Sequence, residues 1–155
     1  MAEFPEGVQM CMRGHVLNEQ ARWNPDANMK FCPQCGGASI IECSICHGPI
    51  TSAGNPYREF IRPAFCAECG KPFPWTETGL SAADELTDEL DLSAAEKSTL
   101  KGDIRDLTSD TLRTPLAASR FKKFMAKITP ETGKALLQIV VSVATEEAKN
   151  KLNGL

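Results

Sequence analysis

Phe31-Cys32-Pro33-Gln34-Cys35-Gly36-Gly37-Ala38-Ser39-Ile40-Ile41-Glu42-Cys43-Ser44-Ile45-Cys46-His47-Gly48 decides how this chain is read. It holds two Cys-x2-Cys pairs, with seven residues between Cys35 and Cys43. A third pair follows in Phe65-Cys66-Ala67-Glu68-Cys69-Gly70-Lys71, and the seventh cysteine lies upstream in Cys11-Met12-Arg13-Gly14-His15. Each Cys-x2-Cys pair is closely followed by glycine, which tolerates positive φ and lets backbone N–H groups turn toward the sulfurs. All seven cysteines and both histidines precede residue 70. An odd cysteine count fits a disulfide framework poorly, whereas these spacings fit metal ligation.

Four ligand pairs supply eight donors, enough for two tetrahedral zinc ions. Zinc is the expected metal because it accepts thiolate and imidazole in a closed tetrahedron without redox chemistry. Sequential pairing puts Cys11, His15, Cys32 and Cys35 in a mixed site and Cys43, Cys46, Cys66 and Cys69 in an all-cysteine site. The second set reads C-x2-C-x19-C-x2-C, a zinc-ribbon spacing. Interleaved pairing, with Cys11 and His15 joined to Cys43 and Cys46, satisfies the same count. C-x3-H is a looser signature, and an ordinary surface histidine is the competing role for His15. His47 would over-fill the all-cysteine site, so a solvent-facing or supporting role is expected for it. A redox Cys-x2-Cys normally opens a helix in a βαβ setting, and no such pattern surrounds these pairs. Two full ligand sets predict structural ions, each replacing a hydrophobic core that about 35 residues cannot build.

The rest of the composition narrows the function. The chain has 155 residues, with 17 Lys plus Arg against 20 Asp plus Glu, a formal −3. That balance argues against a chain-wide field for nucleic acid or anionic membrane. No stretch approaches the eighteen apolar residues of a spanning helix. The opening MAEFPEGVQM lacks a basic region followed by an apolar run, so a cytoplasmic location is expected.

The expected fold class is a small metal-stabilised β region of two consecutive zinc ribbons, followed by an all-α segment. The expected domains are 1–75, the ribbons, and 76–155, about four helices. Residues 1–10 read as a lead-in strand or tail, and GHVLN, MKFC, ASIIEC and PYREFI as strands beside knuckles. Pro72 and Pro74 bracket Phe73 ahead of Trp75, which reads either as an exposed recognition patch or as an apolar plug. Ser81-x-x-Asp84 and Ser93-x-x-Glu96 read as capping boxes opening helices near 82–90 and 94–108. Thr114-Pro115 and Thr129-Pro130 place a cap residue before proline, predicting helices over 115–127 and 131–151. Ala117, Phe121, Phe124, Met125 and Ile128 share one face of the third helix, and Leu136, Ile139, Val140, Val143 and Ala144 one face of the fourth.

Charge is uneven in this half. Residues 77–110 carry ten acidic against three basic side chains, and residues 111–134 six basic against one acidic. Acidic early helices packed beside the basic third helix would explain it. A basic amphipathic helix with embedded aromatics is also a membrane-interface pattern, so peripheral docking by 115–127 stays open. The run 135–144 is apolar on more than one stripe and must be covered by the ribbons, a second copy or another protein. Trp75, Phe121, Phe124, Leu136, Ile139, Val140 and Val143 are therefore the candidate partner-binding residues.

The segments VQMCMRGHVLN, KFCPQCG, IECSICHGPI and FCAECGKPFPWTE, with the tail SRFKKFMAKITPETGKALLQIVVSVATEEAKNKL, resemble a bacterial family of uncharacterised double-zinc-ribbon proteins. The resemblance covers nearly the whole chain and implies Cys11, His15, Cys32, Cys35, Cys43, Cys46, Cys66 and Cys69 as ligands. His47 departs from it, standing where such a knuckle more commonly carries glycine. The family brings no activity with it.

These readings favour a non-enzymatic zinc-binding adaptor or scaffold, associating with protein or with itself through its helical tail. Nucleic-acid binding is the alternative, yet residues 1–75 carry six basic against seven acidic side chains, and ligand thiolates add negative charge. Catalysis is not expected: His47 is the one histidine left after ligand assignment, no thiol remains, and no GxxxxGK[ST] or GxSxG segment occurs.

Overall fold

In a computed structural model, residues 7–55 and 58–154 are described. Residues 1–6 of the expected lead-in over 1–10 and the Pro56-Tyr57 start of PYREFI lie outside them. The chain divides into two compact units, one ending at Glu77 and the other running from Thr78, a division that falls inside a helix.

The first unit is built on a three-stranded antiparallel sheet in the order β2-β1-β3, with β1 Gln9–Cys11, β2 Val16–Asn18 and β3 Ser39–Ile40. Central β1 pairs Met10 with Val16 on one side and with Ile40 on the other. MKFC forms no strand; Phe31 makes a single bridging pair with Ala38. The Gln9 side chain acts instead of strand pairing there. Its Nε2 donates to the Met29 carbonyl at 2.8 Å, and its Oε1 accepts the Met29 N–H at 2.9 Å. Gln9 is buried, so both halves of its amide need such partners. The described part of PYREFI is also not a strand, and its Ile61 is held by Ser52 and Ala53.

Beneath the sheet lies a small core of Val8, Met10, Cys43, Ile50, Cys66, Phe73 and Trp75. Trp75 is 5% exposed, stacks on Phe73 at 4.7 Å between ring centroids, and donates its indole N–H to the Pro63 carbonyl at 2.8 Å. This corrects the recognition-patch reading. A buried indole with its polar edge satisfied is a packing residue. The helix of which it is the second residue, α1, spans Pro74–Asp88 and starts eight residues before the expected position. Pro74 takes the first position, where its missing N–H costs nothing, and Ser81 lies inside the helix rather than capping it.

The second unit continues α1 and adds α2 Ala94–Asp106, α3 Thr114–Met125, α4 Pro130–Val143 and α5 Glu146–Leu152. Five α-helices among the described residues replace the expected four. The run expected to form one helix over 131–151 breaks after Val143, because Thr145 caps α5 by accepting the Ala148 N–H. Ser93 and Glu96 form the expected capping box, and Thr129 caps α4 ahead of Pro130. Thr114 is not a cap: it is the first residue of α3, and its buried hydroxyl donates to the Ser109 carbonyl and accepts the Thr111 N–H.

A single cluster fills this unit, including Leu100, Ile104, Leu107, Phe121, Leu136, Val140 and Leu152. The stripe of α4 is therefore covered by the chain's own helices. Close approach makes this possible: a Cβ on Gly79 of α1 would stand 2.2 Å from Val143, and one on Gly133 of α4 3.2 Å from Met125. The candidate partner-binding residues are corrected accordingly. Phe121, Leu136 and Val140 are wholly buried, Val143 is buried, and Phe124 and Ile139 are partly buried against the same core. Part of the uneven charge is also absorbed internally. Arg113 pairs with Asp106 at 2.9 Å, Arg120 with Asp103 at 3.7 Å and Lys127 with Glu96 at 2.9 Å, joining the basic stretch to α2. No helix among the described residues is long and apolar enough to cross a membrane.

Candidate metal centres

Four copies of one turn build the site, all in the first unit. The N–H of Gly36, His47 and Gly70 donates to the carbonyl of Cys32, Cys43 and Cys66 at 2.8, 2.9 and 2.9 Å. The chain then returns, and those same cysteines donate their N–H to Gly37, Gly48 and Lys71, each at 2.8 Å. Just outside, Phe31, Glu42 and Phe65 bridge to Ala38, Pro49 and Pro72. Cys11 and His15 repeat the pattern, with Gly14 donating to Cys11 and Cys11 to His15. The closing residue must adopt positive φ: 70° at Gly36, 71° at Gly70, 90° at Gly14 and 62° at His47. His47 is the non-glycine residue at this position. Its Nδ1 lies 2.8 Å from Glu42 Oε1, and its ring faces solvent.

These turns bring the eight candidate ligands into two groups. Cys11, His15, Cys32 and Cys35 form one, and Cys43, Cys46, Cys66 and Cys69 the other, with donor atoms within 4.8 Å of one another in each. The grouping is sequential rather than interleaved. All seven cysteines are free thiols.

The donor spacing fits a tetrahedral ion. Bonds of about 2.3 Å from a central metal to sulfur imply sulfur–sulfur edges of about 3.8 Å. Cys43 and Cys69 stand 3.8 Å apart, Cys46 and Cys66 3.6 Å, and Cys11 and Cys35 3.7 Å. With a nitrogen bond of about 2.0–2.1 Å the mixed edge shortens to about 3.6 Å. His15 Nδ1 is 3.4 Å from Cys11 and 3.6 Å from Cys32. A sulfur–sulfur separation near 2.0 Å would mark a disulfide, and none of these pairs approaches it.

Backbone N–H groups point at the sulfurs as thiolate stabilisers. His15 donates to Cys11 at 3.3 Å, Gly37 to Cys35 at 3.4 Å and Gly48 to Cys46 at 3.4 Å. The Gly37 N–H, working against desolvation, brings the Cys35 thiol down to about 6. The Cys46 N–H does the same for Cys43, to about 7. Cys46 takes the Gly48 N–H, yet desolvation and the sulfurs of Cys66, Cys69 and Cys43 outweigh it and carry this thiol up to about 12. Sulfurs crowded this closely hold protons on one another, and a divalent cation allows all of them to ionise.

Two arginines brace the mixed group. Arg13 Nη1 donates to the Cys35 carbonyl at 2.7 Å. Arg62 lies over Gly14, donating to its carbonyl at 3.4 Å, and a Cβ at Gly14 would stand 2.6 Å from the guanidinium. Burial pulls the Arg62 pKa down and the Cys11 charge pulls it up. This role leaves no mark in the sequence, because 48 residues separate Arg62 from Gly14 and no local pattern joins them.

Residues 5–152 match DUF2321, a family described as an uncharacterized protein conserved in bacteria. The chain belongs to that family. Both cysteine/histidine groups of this DUF2321 protein lie within the matched span. No curated protein and no solved structure matches the chain.

Proposed function

We propose that each group holds one zinc ion, that both ions are structural, and that this DUF2321 protein is a non-enzymatic cytoplasmic adaptor. The carrying observation is the closure of the ligand sets. Each supplies four donors at tetrahedral spacing, and a catalytic zinc needs a position left for water. What zinc supplies here is folding free energy, about 10–16 kcal/mol for a structural site of this kind, more than a small domain's usual net stability.

Support for the adaptor role comes from the surface of the first unit. Trp23, Phe31 and Ile45 are 59%, 63% and 60% exposed, large apolar side chains that a protein partner would cover. Packing of the helical stripes into their own core favours an association surface on the ribbons over one on the tail. Nucleic-acid binding ranks lower because Arg13 and Arg62 are committed to backbone carbonyls around the mixed group.

Elemental analysis of the natively purified protein is expected to return two zinc ions per chain. Cys32→Ser and Cys66→Ser should each lose one. Light scattering and pull-down with Trp23→Ser/Phe31→Ser test the adaptor role, and a strictly monomeric, partner-free wild type would count against it. Tight, salt-sensitive gel shifts would replace it with the nucleic-acid reading.

A further inference from the structure

A second site lies in the helical unit. A cavity of about 420 Å³ opens between α3 and α5, lined by Pro115, Ala118, Ser119, Lys122, Lys123 and Lys151. Its lining combines three lysines and a serine with the apolar Pro115 and Ala118, and no carboxylate contributes to it. Lys151 has a loose ion pair with Glu147 at 3.6 Å. Lys122 and Lys123 have no acidic partner among the described residues, although most cations of this unit do. Arg105, Arg113, Arg120, Lys101, Lys127 and Lys149 are all paired. With no acidic residue in its lining, this cavity keeps its positive charge.

We propose that this cavity binds a phosphate group, carried either by a soluble phosphate ester or by a lipid headgroup. Like charges lining one concave surface repel one another and give it a positive potential. A compact dianion relieves that repulsion, and phosphate offers several acceptor oxygens for ammonium and hydroxyl donors. The volume falls within the range of small-molecule sites, leaving room for more than the phosphate itself. Nearby Leu112 is fully exposed and Leu116 is 43% exposed. These apolar groups would be covered only in the lipid case.

The test uses the full-length zinc-loaded protein and two probes. Inorganic phosphate is titrated while amide resonances of Ser119, Lys122 and Lys123 are followed. In parallel, phosphatidylcholine vesicles with and without phosphatidic acid are sedimented with the protein. Saturable shifts, or sedimentation that requires phosphatidic acid, support the site. Lys122→Glu/Lys123→Glu should then weaken binding at least about tenfold. Lys134→Glu reverses the charge of another lysine that does not line the cavity and should leave binding nearly unchanged. Leu112→Ser/Leu116→Ser separates the two sources, because it reduces vesicle binding in the lipid case and leaves phosphate binding intact in both. Far-UV circular dichroism and zinc content check that each variant is folded. No saturable response to either probe overturns the proposal. So does an equal loss in Lys134→Glu, which would mean diffuse charge without a site.

Discussion

His47 Nδ1 lies 2.8 Å from Glu42 Oε1, joining the residue after the second knuckle's last cysteine to the residue before its first. This contact sits at a backbone position, φ 62°, that Gly36 and Gly70 occupy in the sister knuckles. A non-glycine residue in the left-handed region costs about 1–2 kcal/mol. The exposed pair with Glu42 returns at most about 1 kcal/mol. Replacing His47 by glycine removes both terms and adds chain entropy to the unfolded state. His47→Gly should therefore melt within about 0.5 kcal/mol of wild type. Gly70→Val has open space around its Cβ, so its cost, about 1–2 kcal/mol, is backbone strain alone. Thermal melts of the two variants compare them. A large loss in His47→Gly would show that the imidazole does more than tolerate its position.

Both tryptophans, Trp23 and Trp75, belong to the first unit, whereas most helical residues belong to the second. Fluorescence therefore reports the ribbons and far-UV circular dichroism the helices. Stripping metal with a strong chelator should shift tryptophan emission to the red as the Phe73–Trp75 stack is exposed, while most helical signal survives. The cluster around Leu100, Phe121 and Leu136 contains no candidate ligand. Simultaneous loss of both signals would show that the two units fold as one.

The ligands were legible because metal coordination imposes short, regular spacings that the chain carries openly in Cys32–Cys35, Cys43–Cys46 and Cys66–Cys69. The capping box at Ser93 and the Thr129-Pro130 start were legible for the same reason, since a cap is a local contract between residues three apart. What escaped was non-local. Trp75 stayed open between recognition patch and apolar plug because the Pro63 carbonyl that receives its N–H lies twelve residues away. The tail looked under-covered because Gly79 gives no sign, in sequence, that α4 will pass against it. Thr145 broke the last helix although the apolar and charged pattern around it continues helically.

Gly79 and Val143 yield a packing prediction. A Cβ at Gly79 would stand 2.2 Å from Val143 Cγ1, so a side chain or a helix must move to admit it. Overpacking of this kind costs about 1–3 kcal/mol, more than the helix propensity that alanine gains over glycine. Gly79→Ala should therefore destabilise the helical unit. Val143→Ala in the same chain should recover part of the loss, giving a non-additive double-mutant cycle in urea denaturation. Additive effects would mean that the two helices are not held at this distance.

Asp103 supplies the pH dependence. It is 2% exposed on α2, and its Oδ2 has no hydrogen-bond partner among the described residues. Burial pushes its carboxyl above the ordinary 3.8; Arg120 and Arg113 pull it back, and Asp106 adds to the rise. A group whose folded pKa is raised contributes stability that is fully present below the unfolded pKa. That contribution is lost as pH rises through the folded value. Asp103 should thus make the helical unit less stable from mildly acidic to neutral pH, against the trend from carboxylates held low, such as Glu96. Asp103→Asn keeps the shape and removes the charge. At neutral pH it should match or exceed wild-type stability by up to about 1 kcal/mol, and the two proteins should converge as pH falls below 3.8. Denaturant midpoints across that window test the sign. A variant that is clearly less stable at neutral pH would mean that the Arg120 pair, at 3.7 Å, outweighs the burial of the carboxylate.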